Sequence, residues 1–147
     1  MNEINIKLNL KYKKTASSFM DRLSFFFWET PYIWETLEDI EEKLSTGEKI
    51  VIPKGYPTDL SSVPPFLWGI FPPFGMFLKA ALVHDFIYSE DWRREEMGDK
   101  ENKRFADEQM LFLSNKYNPK GAIDNTIRFW AVKYFGKKVY KRRKKDY

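Results

Sequence analysis

The residues with the greatest chemical capacity lie between positions 55 and 107. His84, the only histidine of the chain, is followed directly by Asp85 and, four residues on, by Tyr88. An imidazole changes charge near neutral pH, so it can take a proton from water or ligate a metal. Upstream stands Gly55-Tyr56-Pro57-Thr58-Asp59-Leu60-Ser61-Ser62-Val63-Pro64, and downstream Ala106-Asp107. If the three segments pack together, Asp59, Asp85 and Asp107 converge on one histidine. On a helix His84 and Tyr88 share a face, while Asp85 turns away from His84 but stays a neighbour of Tyr88. Asp107, on a second helix running antiparallel, would hold the imidazole in one tautomer and stabilise its charged form. These residues make His84 the expected base, with Asp107 and Tyr88 completing the catalytic set. Asp85 would be placed to hold a hard cation such as calcium, aided by carbonyl oxygens of the Pro72-Pro73-Phe74-Gly75 turn. Thr58, Asp59 and Ser62 are the expected loop supports.

A structural reading competes with this chemistry. His84 would then be a satisfied core histidine, Asp59 the cap of the Ser61-Ser62 turn, and Asp107 the partner of Lys103 or Arg104 on a solvated face. Zinc is not expected, because one histidine and no cysteine do not furnish its usual ligands. A serine nucleophile is weaker still, since Ser61 and Ser62 lack flanking glycines of the nucleophile-elbow type.

The elements that must position these groups can be read from hydropathy and turn residues. Residues 4–12 alternate apolar and polar side chains, the period of a half-buried strand. Residues 19–34 are aromatic and irregular, with Pro31 opposing a helix. Residues 34–44 fit either a helix or a strand; the turn residues Thr46-Gly47 and the β-branched run 49–53 favour a hairpin. Residues 53–75 form a long proline-rich loop anchored by Trp68, Phe71 and Phe74, and loops of that length in compact domains usually carry function. A buried helix is expected over 76–89, with Ala80 and Ala81 permitting close approach of a neighbour. A charged loop follows over 90–101, then a second helix over 102–117 with Phe105, Met110, Leu111 and Leu113 as its apolar positions. Asn118-Pro119-Lys120-Gly121 ends it. The third helix, over 122–140, has Ile123, Ile127, Trp130, Ala131, Tyr134 and Phe135 at core spacing. The expected class is α+β: an N-terminal antiparallel β portion and a proline-rich loop, then a three-helix bundle.

Composition bounds the classes of function. At 147 residues the chain suits one domain, and 18% aromatic residues supply much buried area without disulfide staples. The absence of cysteine excludes disulfides, thiolate metal sites and a cysteine nucleophile. No secretory leader is expected at Met1-Asn2-Glu3-Ile4, and the longest apolar stretch, 64–83, is interrupted by four prolines and two glycines. The net charge of +4 resides in Lys137, Lys138, Lys141, Arg142, Arg143, Lys144 and Lys145; without them the chain is slightly acidic. Residues 1–136 therefore read as the domain and 137–147 as a basic tail suited to polyanions such as DNA or an anionic membrane, with no means of reading base sequence.

The motifs resemble those of a phage and prophage family known as domain of unknown function 1353. Its loop pattern is met by Pro53, Gly55, Tyr56, Thr58, Asp59, Ser62 and Pro64, its helix pattern by His84, Asp85 and Tyr88, and its downstream pattern by Ala106 and Asp107. The resemblance spans about residues 49–136 and implies a phage origin, hence a host-cytoplasmic or virion location and other virion proteins as partners. The helix around His84, followed by Asp107, is also similar to the core of secreted A-two-type phospholipases and of the parvovirus capsid phospholipase segment. That resemblance implies His84 as general base, Asp85 as calcium ligand, and Tyr88 and Asp107 as orienting residues. The chain departs from it in lacking a Gly-x-Gly calcium loop and in carrying an N-terminal β portion. Three functions follow: a small cation-dependent ester hydrolase, a non-catalytic virion or assembly protein, and an inhibitor of a host defence protein.

Overall fold

A computed structural model describes residues 6–8, 34–58, 69–70, 75–89 and 94–143, with the backbone alone at 6–8, 76, 89, 94–95 and 135–143. The architecture is α+β: short antiparallel strands precede three packed helices. Among the described residues, no helix is long and apolar enough to cross a membrane.

The alternating N-terminal segment contributes β1 (Ile6–Leu8), which pairs antiparallel with β2 (Trp34–Thr36). The hairpin reading of the following segment holds: β3 (Ile40–Lys43) pairs antiparallel with β4 (Lys49–Ile52). At its turn the Leu44 amide donates to the Glu48 carbonyl and the Gly47 amide to the Leu44 carbonyl. Gly47 has φ +88°, the left-handed bulge position of a short hairpin loop. Ile40, Leu44, Ile50 and Ile52 are buried, so one face of the hairpin feeds the core.

Part of the segment expected to be loop is strand instead. Residues 57–58 form β5 (Pro57–Thr58), which adds to the free side of β2 and makes the order β1-β2-β5. Among the described residues β5 is the edge of this sheet, a position that tolerates proline because no ladder bond is asked of its outer side. The turn ahead of it is tied by Thr36, whose hydroxyl donates to the Pro53 carbonyl at 2.8 Å and accepts from the Tyr56 amide at 3.0 Å. The anchors Trp68, Phe71 and Phe74 lie outside the described residues.

After a 3-10 turn at Gly75–Phe77 comes α1 (Leu78–Ser89). Residues 80–85, 87 and 88 are all buried, as a helix apolar on nearly every side must be. α2 (Arg94–Tyr117) starts earlier than the charged-loop reading of 90–101 allows. Its opening residues are good helix formers, and only Gly98, at φ 75° and ψ 170°, interrupts the helical backbone. Met97 beside it packs against the core. α2 ends at Tyr117, and after Asn118 the 3-10 turn Pro119–Gly121 leads into α3 (Ala122–Arg143).

α3 corrects the expected core. Ile123, Ile127, Trp130 and Tyr134 are exposed and Ala131 is only half-buried, whereas Asn125, Arg128 and Val132 are buried. The Phe135 side chain lies outside the described residues. Hydrogen bonds of Asn125 and a cation–π contact of Arg128 accompany this rotation. The Asn125 amide nitrogen donates to the Asn118 carbonyl and the Asn115 side-chain oxygen, both at 2.9 Å, and the Arg128 guanidinium lies 3.6 Å from the Phe77 ring centroid. The inward face is thus chosen by these contacts together with Val132, not by the more apolar stripe.

A candidate active site at His84

α1 and α2 run antiparallel, with Lys79 near Tyr117, His84 against Asp107 and Ile87 against Asn102. That register delivers Asp107 to the face of α1 carrying His84 and Tyr88, which the helical spacing anticipated. Asn102, fully buried, donates from its side-chain nitrogen to the Ile87 carbonyl at 3.2 Å, satisfying an acceptor in the last turn of α1.

Asp107 divides its carboxylate between two tasks. Oδ1 accepts from His84 Nε2 at 2.8 Å and from the Tyr88 hydroxyl at 2.7 Å. Oδ2 accepts from Lys103 Nζ at 2.6 Å, one helical turn away. The two rings of His84 and Tyr88 lie 4.0 Å apart between centroids, tilted by 43°. Asp107 is therefore no solvated-face residue: it is 2% exposed. With Nε2 donating to a carboxylate, Nδ1 is the proton-accepting nitrogen of the neutral ring.

Nδ1 lies 3.9 Å from Asp85 Oδ1, beyond a direct hydrogen bond. Asp85 was expected to turn away from the imidazole and instead faces it. The cause is tertiary: the Thr58 hydroxyl on β5 donates to Asp85 Oδ2 and draws the carboxylate toward the sheet. Of the three residues named as loop supports, Thr58 is on β5 in contact with Asp85, and Asp59 and Ser62 lie outside the described residues.

Burial is complete at the centre: His84 is 0% and Asp85 1% exposed. Burial pushes the imidazole pKa down, but the hydrogen bond to Asp107 and the negative charges of Asp107 and Asp85 outweigh it and raise the pKa above 6.5. Burial likewise pushes Asp107 up, and its bonds to His84 and Lys103 hold it below 3.8. Two carboxylates, one lysine and one imidazole make a set that is charge-balanced when His84 is protonated.

Sequence reasoning gave Lys103 to Asp107 only as a pair on a solvated face and so missed its place beside the buried site. It also missed a third buried carboxylate, outside this site. Glu42 accepts from Lys116 Nζ at 2.7 Å, from the Tyr117 hydroxyl and from the Lys43 amide at 2.9 Å, with Lys79 Nζ at 3.0 Å. Burial raises the Glu42 pKa, but these donors overcome that and hold it at about 2. The clue was its parity with Ile40 and Leu44, which places it on the inward face of the hairpin.

As to a cation, the described side chains contain no group of three histidine, cysteine, aspartate or glutamate residues able to hold one. Asp85 offers a single carboxylate already engaged by Thr58, so calcium there would depend on further oxygens. Of the basic residues, Lys137, Lys138, Lys141, Arg142 and Arg143 occupy the last turns of α3, while Lys144 and Lys145 lie outside the described residues. The boundary drawn after residue 136 falls within this helix.

A family model described as protein of unknown function (DUF1353) matches residues 34–132, about two thirds of the chain. No curated protein and no solved structure matches it.

Proposed function

Because the chain belongs to the DUF1353 family, whose description assigns no activity, we propose its function from the site: hydrolysis of an ester, with His84 as general base. The carrying observation is that Asp107 Oδ1 receives both His84 Nε2 and Tyr88 Oη, leaving Nδ1 as the basic nitrogen beside Asp85. Nδ1 takes a proton from water as the oxygen bonds to the ester carbonyl carbon. The same proton passes to the departing alcohol as the C–O bond breaks. Asp107 and Tyr88 position the ring, and Asp85 is the residue that would ligate a cation. The similarity of this array to A-two-type phospholipases supports a lipid ester as substrate. The phage origin, and with it a virion or host-cytoplasmic location, belongs to the same proposal and rests on the loop and His-Asp-x-x-Tyr motifs.

A second reading is favoured by the total burial of His84 and the balance of charges around it. In it the network is a lock joining β5, α1 and α2 in a non-catalytic assembly protein. The deciding assay follows acid release from short-chain esters and phospholipid vesicles, with calcium or with a chelator. Turnover by the wild type that falls about 10²–10⁴-fold in folded His84→Gln supports the base. Tyr88→Phe, which keeps the ring and removes one donor to Asp107, serves if His84→Gln does not fold. No turnover by the wild type across the panel overturns the hydrolase and leaves the lock.

A further inference from the structure

The site at His84 leaves the exposed face of α3 unused. Ile123 is 77%, Ile127 47%, Trp130 58% and Tyr134 80% exposed. Their spacing of four, three and four residues puts them in one stripe along the helix, opposite the buried Asn125, Arg128 and Val132. Single exposed apolar residues are ordinary, but four in line are not. At the same helical spacing the sequence continues with Lys137, Lys138 and Lys141, and Arg142, Arg143, Lys144 and Lys145 follow. Asp124 is the sole acidic residue between Ala122 and Arg143. Lys133 already lies over two rings of this region, its Nζ 5.0 Å from the Trp130 centroid and 5.6 Å from that of Phe129.

We infer that this face of α3 is a docking surface for an anionic lipid bilayer, the helix lying in the headgroup region with Ile123, Ile127, Trp130 and Tyr134 toward the acyl chains. A bilayer of that charge is the occupant that uses both halves of the stripe. Isoleucines fit the acyl boundary, tryptophan and tyrosine fit the interface, and the cations fit the headgroups. DNA would use the cations and leave the isoleucines wet. A second copy packed in parallel would oppose Lys137 and Lys141 to themselves, and packed antiparallel would set them against Ile123. The inference stands apart from the hydrolytic reading, because it concerns binding and can be measured on lipids without ester bonds.

The experiment is co-sedimentation of the full chain with vesicles of diether phosphatidylglycerol and phosphatidylcholine, compared with phosphatidylcholine alone. Anionic vesicles should bind on the order of tenfold or more tightly. Trp130 emission should shift to the blue, and Trp130→Phe should remove that shift. The double variant Ile127→Glu with Trp130→Glu should lose most binding, and the triple change of Lys137, Lys138 and Lys141 to Gln should lose it too. Should the double variant misfold by circular dichroism, the triple variant and the Trp130 emission carry the test. Anionic vesicle binding that survives the double change, or that vanishes entirely with salt, would reduce the surface to charge adsorption and overturn the inference. A dimer abolished by the double change without vesicle binding, or DNA bound more tightly than vesicles, would overturn it in favour of those partners.

Discussion

At the scale of single residues, the chemistry is governed by how Asp107 is shared. One oxygen fixes the His84 tautomer with help from Tyr88, and the other is neutralised by Lys103. The folded-state pKa of His84 is raised, so its contribution to stability is complete below 6.5 and is lost as pH rises through the folded value. Asp107 is lowered, so its contribution is present above 3.8 and is lost as pH falls through its folded value. Asp107→Asn should therefore cost about 3–5 kcal/mol near neutrality, the cost of leaving a buried partner uncompensated. The gap from wild type should narrow as pH rises through the raised folded pKa of His84 and the ring loses its proton, and urea unfolding over a series of rising pH values measures this. If His84 acts as a base, the acid limb of its pH–rate profile should lie above 6.5, because only the neutral ring accepts a proton.

At the scale of elements, α1 is the axis of the molecule and α2 supplies its partners from Tyr117 back to Asn102. The first turn of α2 is joined to the rest through Gly98, whose φ of 75° and ψ of 170° belong to a region reserved for glycine. A Cβ there would meet nothing within 4 Å, so the constraint is in the backbone and not in the packing. Gly98→Ala should accordingly destabilise by about 1–3 kcal/mol. Lys100→Ala, on the exposed side of the same helix, should change stability by less than about 0.5 kcal/mol. Thermal midpoints of the two variants make the comparison. Equal midpoints would show that the chain passes Gly98 without strain.

At the scale of the whole molecule, two buried carboxylates bind the β portion to the helices. Asp85 reaches β5 through Thr58, and Glu42 on β3 gathers Lys79 from α1 with Lys116 and Tyr117 from α2. The bidentate contact between Ser45 and Gln109, at 2.8 and 2.7 Å, closes the hairpin turn onto α2. With Glu42 held at about 2 against an ordinary 4.5, its stabilisation is present above 4.5 and drains away as pH falls toward 2. That difference corresponds to about 3 kcal/mol. Glu42→Gln should lower stability at neutral pH by a similar order and flatten the acid limb of the stability curve. Denaturant midpoints followed from about pH 7 down to about pH 3 would expose this, and an unchanged acid limb would assign acid lability to other groups.

Local chemistry determined a good part of the protein from the sequence alone. The β-branched run 49–53 and the Thr46-Gly47 turn marked the β3–β4 hairpin, the apolar run over 76–89 marked α1 as a buried helix, and Asn118-Pro119-Lys120-Gly121 marked the end of α2. The four-residue step from His84 to Tyr88, with Asp107 on the next helix, marked the candidate site, because side chains one turn apart share a face whatever surrounds them. The rest depended on partners distant in the chain. Asp85 faces the imidazole because Thr58 draws it there from 27 residues away. Glu42 is buried because donors 37 to 75 residues later meet it. Helical period alone favoured the apolar side of α3 for the core, yet Asn125 and Arg128 turned the opposite side inward. A hydropathy pattern ranks the faces of a helix by their transfer free energy, and only the tertiary structure decides which face finds its hydrogen-bond partners.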